Sequence, residues 1–128
     1  MHISEENLVE LVREYPKGII HVEDAPDSLW LEVLSTPHNG RLIKYKNNPS
    51  DYMIYRAVRN DSKAIAYVDN PSKDLRKLAI SNGLSYVIQY IDNPTEEEQM
   101  LAVALDSHAY QYIENPAKSV TEFYHRLK

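Results

Sequence analysis

Tyr90-Ile91-Asp92-Asn93-Pro94-Thr95 recurs along this chain at a nearly constant interval. Earlier copies read Tyr67-Val68-Asp69-Asn70-Pro71-Ser72, Tyr45-Lys46-Asn47-Asn48-Pro49-Ser50 and, more distantly, Val22-Glu23-Asp24-Ala25-Pro26-Asp27. A later copy reads Tyr112-Ile113-Glu114-Asn115-Pro116-Ala117. Pro26, Pro49, Pro71, Pro94 and Pro116 are separated by steps of 23, 22, 23 and 22 residues. A fixed period of that size marks a repeat architecture, in which each unit is one supersecondary element that cannot bury its apolar face alone.

Between the motifs the pattern is helical. The first helix of each unit is predicted over 26–36, 49–60, 71–81, 94–106 and 116–127. Four residues after each proline come Trp30, Met53, Leu75, Glu98 and Val120. Seven after come Val33, Arg56, Leu78, Leu101 and Phe123, and eight after come Leu34, Ala57, Ala79, Ala102 and Tyr124. This is the spacing of one apolar face at 3.6 residues per turn. A leading helix over 4–15 carries Leu8, Leu11, Val12 and Tyr15 on one face, with Ser4 as its candidate N-cap. Asn39-Gly40, Asn60-Asp61, Asn82-Gly83 and Asp106-Ser107 suit helix C-termini.

A second, shorter helix fills the rest of each unit, about 42–46, 63–69, 84–91 and 107–114, and in the leading unit one begins with Ile19, Ile20 and Val22 and ends near Glu23. Its buried positions are predicted at Ile20, Ile43, Ile65, Ile88 and Tyr110, and one residue earlier at Ile19, Leu42, Ala64, Val87 and Ala109. At about eight residues it is too short to be stable alone and could be α or 3₁₀. At the joint, proline disfavours helix in the residue before it. Asn is then expected to cap the next helix, with Pro at its first position, where a missing N–H costs nothing. Ser50, Ser72 and Thr95 would extend that first turn.

The expected fold is therefore all-α: a right-handed αα solenoid of about five and a half repeats of 22–23 residues in a single domain, 1–128. Its repeats run about 4–25, 26–48, 49–70, 71–93 and 94–115, with 116–128 a half-repeat cap.

The Asp-Asn-Pro-Ser/Thr turns, followed by Arg56-Ala57-Val58, Leu75-Arg76-Lys77-Leu78-Ala79-Ile80 and Leu101-Ala102-Val103, resemble two related groups of HEAT-like repeats. One is the leucine-rich-repeat-variant family, whose units pair an α-helix with a 3₁₀-helix. The other is the set of uncharacterised Tyr-Ile-x-Asn-Pro repeats of bacteriophage and giant-virus proteins. The second resemblance is closer, covers about 17–128 and includes the tyrosines. The chain departs from the leucine-rich variant in lacking a second proline within the unit. Such a resemblance implies fold rather than activity; by analogy it implies a phage or mobile-element origin.

Composition narrows the function classes. There is no cysteine, which excludes disulfides and thiolate metal sites. No apolar run approaches the roughly 18 residues of a membrane span, and the polar start has no signal-peptide core, so a cytoplasmic location is expected. His2, His21, His38, His108 and His125 share no metal-ligand spacing, and no phosphate loop or nucleophile motif is present. Glu96-Glu97-Glu98 reads as a helix start favoured by the macrodipole. No catalytic residue, metal ligand or cofactor is expected, and the chain reads as a non-enzyme.

Two features could meet a partner. Tyr45, Tyr67, Tyr90 and Tyr112 each stand four residues before a repeat proline and would form a row. Each ring either packs on the proline turn or offers a contact ridge. The net charge of −5 also conceals a pattern: −6 over 1–40, +5 over 41–80 and −4 over 81–128. In the basic band Lys44, Lys46, Arg56, Arg59 and Lys63 are interleaved with Tyr45, Tyr52 and Tyr55. Arg56 occupies a slot that is apolar in the other units. Either the stripe rotates there toward Ile54 and Val58, which is favoured, or Arg56 reaches a functional surface. The function expected is binding of another protein, as a small phage-type inhibitor or adaptor. The alternative is nucleic-acid binding through 41–80, against which the acidic ends and a pI near 5.5 argue.

Overall fold

The computed structural model describes residues 5–128, and no strand occurs among them. Six α-helices alternate with five 3₁₀-helices over these residues: α1 Glu5–Glu14, η1 Pro16–His21, α2 Asp27–Leu34, η2 Gly40–Tyr45, α3 Asp51–Asn60, η3 Ser62–Tyr67, α4 Lys73–Asn82, η4 Ser85–Tyr90, α5 Glu96–Leu105, η5 Ser107–Tyr112 and α6 Lys118–Arg126. The fold is an all-α repeat. The second element of every unit is 3₁₀ throughout, six residues long, and closes the alternative that the sequence left open. Ser4 and His2 lie outside the described residues.

The joint works differently from its sequence expectation. Asn48, Asn70 and Asn93 have φ of 50°, 47° and 48°, the left-handed region that a short polar side chain tolerates. The caps are the hydroxyls two residues later. Ser50 accepts from the Met53 N–H at 3.2 Å, Ser72 from Leu75 at 3.1 Å and Thr95 from Glu98 at 3.1 Å. Asn therefore turns the chain rather than capping the helix, and the proline lies just outside the helix instead of at its first position. The cause is geometric. With Asn reversing the chain and the next residues extended, the first side chain aimed at the free amides is that of Ser or Thr.

The cap positions also correct the register of the first unit. They are Pro26, Ser50, Ser72, Thr95 and Ala117, so Pro26 is itself the cap while each later proline precedes one. The first joint is as long as the others, running from His21 to Pro26 as the next runs from Tyr45 to Ser50, but its proline stands one place later, and Asp24, with φ 52°, makes its turn. Aligned by caps, Leu29, Val33 and Leu34 are the counterparts of Met53, Ala57 and Val58, and all six are buried. Trp30 is buried too, but one position further round the helix. The counterparts of Arg56 are Glu32, Leu78, Leu101 and Phe123, all half-buried. Arg56 thus occupies a boundary slot in every unit and interrupts no core stripe; the stripe runs through Val58, Ile80 and Val103. The same shift makes Ile19 the counterpart of Ile43, Ile65 and Ile88. Ile19 is fully buried, and Ile20, predicted buried, is 41% exposed.

By its contacts the chain divides into two compact units, one ending at Val68 and the other beginning at Asp69. In the first, α1 packs on α2, α2 on α3, and η2 on both α3 and η3. Gly40 makes that last approach possible, because a Cβ there would run into the Ala57 carbonyl and the Asp61 Cβ. Asn60 ties two helix ends, donating to the Arg56 carbonyl at 2.8 Å and the Leu34 carbonyl at 3.4 Å. In the second unit, α4 packs on α5, α5 on α6 and η4 on η5. There Gln99 is buried and spans successive joints, donating to the Pro94 carbonyl at 3.0 Å and accepting from the Ala117 N–H at 2.8 Å.

Candidate partner-binding surface

Tyr45 and Tyr67 end η2 and η3, which pack side by side in the first unit. Both residues are exposed, Tyr45 by 50% and Tyr67 by 41%. The Lys44 ammonium lies between them, 5.1 Å from the Tyr45 ring centroid and 5.2 Å from that of Tyr67. Both distances are within cation–π range, so the lysine orders two rings that the core does not hold. Three of the sequence-predicted contact residues thus come together on one surface.

The other predicted residues divide differently. Tyr90 and Tyr112 belong to the second unit and are half-buried. Tyr90 meets Tyr86 edge to face at 6.3 Å, while Tyr112 lines an open groove of about 510 Å³ with Gln89, Asp92, Gln99 and Glu114. Two cations of the basic band serve the fold. Lys46 is 3.9 Å from the Asp27 carboxylate and donates to the Asn47 carbonyl, and Arg56 Nε donates to Ser35 Oγ at 3.2 Å. Arg59 is exposed in the last turn of α3, and Lys63 is half-buried in η3.

Beside the tyrosine pair the structure adds residues that the sequence reading passed over. Lys17, His38 and Arg41 join Lys44 and Tyr45 around a small cleft of about 200 Å³. Arg41 is fixed by the buried Asp61: Nε donates to Oδ2 at 2.8 Å, Nη2 to Oδ1 at 3.2 Å, and the backbone N–H to Oδ2 at 2.9 Å. A signal was available. Residues three apart eclipse on a 3₁₀-helix, so Arg41 and Lys44 share one side of η2 once its helix type is known.

The acidic run is structural, in line with its position at a helix start. Thr95 and Glu98 form a reciprocal capping box, with the Thr95 N–H donating to Glu98 Oε1 at 2.9 Å. Burial alone would push the Glu98 carboxyl up; the Arg76 guanidinium and the Thr95 bonds outweigh it and hold the group below its ordinary value. Glu96 accepts from the Ser119 hydroxyl, and Glu97 faces Lys73 at 3.8 Å in solvent. Asp106 is also lowered, by the His108 ring and then by the His108 backbone N–H. Tyr110 stacks on Tyr124 at 4.0 Å and shares a hydrogen bond with Thr121.

Among the described residues no three His, Asp or Glu side chains are grouped as metal ligands, and no helix is long and apolar enough to cross a membrane. Compared with protein families, curated proteins and solved structures, the chain matches none.

Proposed function

We propose that this chain is a non-catalytic binding module that holds another protein through the Tyr45–Lys44–Tyr67 face of its first unit. The observation that carries this is the pair of solvent-facing tyrosines ordered by one lysine. Tyrosine supplies a large, rigid contact area with a polar tip, and it is enriched where interfaces gain most of their energy. Rings held in place before contact lose little entropy on binding. The basic band supports nucleic-acid binding less well, because Lys46, Arg56 and Arg41 already have partners in Asp27, Ser35 and Asp61. The resemblance to phage and giant-virus repeats makes a host protein the first class of partner to test.

Affinity purification with mass spectrometry tests the reading, comparing the unaltered chain with Tyr45→Ala/Tyr67→Ala. Both rings are exposed, so the variant should retain its helical circular-dichroism spectrum. A protein retained in stoichiometric amount by the first and lost from the second supports the module. Salt-dependent binding to DNA or RNA that survives this variant but disappears on changing Arg56, Arg59 and Lys63 to Glu would replace it with the nucleic-acid reading.

A further inference from the structure

The cleft beside the tyrosine pair is lined by Lys17, Ile20, His38, Arg41, Lys44 and Tyr45 among others, and no Asp or Glu contributes to its wall. We propose that it anchors an acidic segment of the partner protein, seating one apolar side chain on Ile20 and Tyr45 with flanking carboxylates on Lys17 and Lys44. The proposal rests on the binding-module reading and names the chemistry of what the module holds.

The cleft is small. Small-molecule sites usually enclose about 300–1,000 Å³, whereas this cleft holds about 200 Å³. That is too little for a cofactor and suits one anchoring side chain, the usual unit of a protein-binding hot spot. The floor of the cleft is apolar, formed by Ile20 and Tyr45. Ile20 is exposed because the core position of η1, counted from the cap at Pro26 as in the other units, is Ile19. The exposed apolar surface of Ile20 lines the cleft. The rim is cationic. Lys17 and Lys44 are exposed ammonium groups, and Arg41 is held in one orientation by the buried Asp61. An anionic segment complements that rim, and complementary charge sets register and encounter rate at an interface. A phosphate backbone has less use for an apolar floor of one side chain, and a chain of net charge −5 disfavours a polyanion overall. The 510 Å³ groove of the second unit has Asp92 and Glu114 in its wall, so it serves as an internal control that should reject the same ligand.

The test is an NMR titration of the ¹⁵N-labelled full chain with a five-residue blocked peptide, one phenylalanine flanked by aspartates. The expected result is that amide shifts concentrate in residues 17–20 and 38–45. Replacing the aspartates by asparagines should weaken binding about tenfold or more. Lys17→Glu/Ile20→Asp, both at exposed positions, should abolish the shifts while the helical spectrum is kept. Equal binding of the asparagine peptide, shifts centred on residues 89–115, or tighter binding of a single-stranded oligonucleotide at the same residues would each overturn the proposal. The two levels separate cleanly. A captured protein that needs Tyr67 but ignores Lys17→Glu/Ile20→Asp removes the cleft and leaves the module. If no captured protein depends on Tyr45 or Tyr67, the module reading fails whatever the peptide does.

Discussion

Arg76 donates through Nε and Nη2 to the two carboxylate oxygens of Glu98, each at 2.8 Å, while Nη2 also reaches the Asp92 carbonyl at 3.0 Å. One side chain of α4 thereby neutralises a carboxylate that is only 5% exposed and ties α4 to the next joint. Removing one partner of a buried pair leaves a desolvated charge. Arg76→Ala should therefore cost about 3 kcal/mol in urea denaturation at pH 7. The sign of its pH dependence follows from Glu98. In the native chain its folded pKa is below the unfolded one, so the pair's contribution is complete above the ordinary carboxylate value and is lost as pH falls through the folded value. Without Arg76 only the Thr95 bonds oppose burial, so the carboxyl is protonated more readily than in the native chain and acid costs the variant less. The gap in stability between the two proteins should narrow from pH 7 to about pH 4. A constant gap would show that Glu98 is not the group exposed by the change.

The register of the first unit is open to a paired substitution. Ile19→Ala removes a fully buried side chain and should cost about 2–5 kcal/mol. Ile20→Ala, at a 41% exposed position, should cost under about 1 kcal/mol. Equal losses would restore the proline-based alignment.

Gly40 and Gly18 make a similar contrast. A Cβ at residue 40 collides with the Ala57 backbone and with Asp61, whereas one at residue 18 meets nothing within 4 Å. Gly40→Ala should destabilise by about 1–3 kcal/mol through overpacking. Gly18→Ala should be neutral, or stabilise by up to about 1 kcal/mol by restricting the unfolded chain. Thermal unfolding of the two variants checks both values.

At the joint, Ser72→Ala should cost about 1 kcal/mol, the usual value of a lost cap. Asn70→Gly should be nearly neutral, because glycine adopts φ 47° at least as easily. Asn70→Ile should cost about 1–3 kcal/mol, since a β-branched residue is strained there. A loss on Asn70→Gly as large as that on Ser72→Ala would return the capping role to asparagine.

Sequence carried much of this fold. The 22–23-residue period and the apolar spacing were enough to place six α-helices and five short second helices, because those depend on local chemistry that repeats. Two things escaped it. The role of Asn against Ser depended on the backbone angle at one residue, and an Asn-Pro-Ser string permits either cap. The shift of the first proline onto the cap was invisible because Pro26 stands 23 residues before Pro49, an interval indistinguishable from the others. That one shift made Ile20 look buried and put Val33 in the row of Arg56, whose apolar but half-buried members Leu78, Leu101 and Phe123 already resembled a core slot. Of the candidate surface, the tyrosine row and Lys44 were legible from periodicity. The contribution of Lys17, His38 and Arg41 was not, because it depends on η2 being 3₁₀ and on Asp61, twenty residues away, turning a guanidinium.

The placement of asparagine before proline also has a bearing on how the protein ages. Deamidation begins when the next residue's backbone nitrogen attacks the asparagine side-chain carbonyl, and proline offers no N–H for that cyclisation. Asn48, Asn70 and Asn93 are therefore shielded from deamidation at the turns that the fold cannot lose. Asn82 has no such protection: it is exposed at the end of α4 and followed by Gly83, the least hindered neighbour possible. In stored protein the first acidic charge variant should arise there, leaving every joint chemically intact.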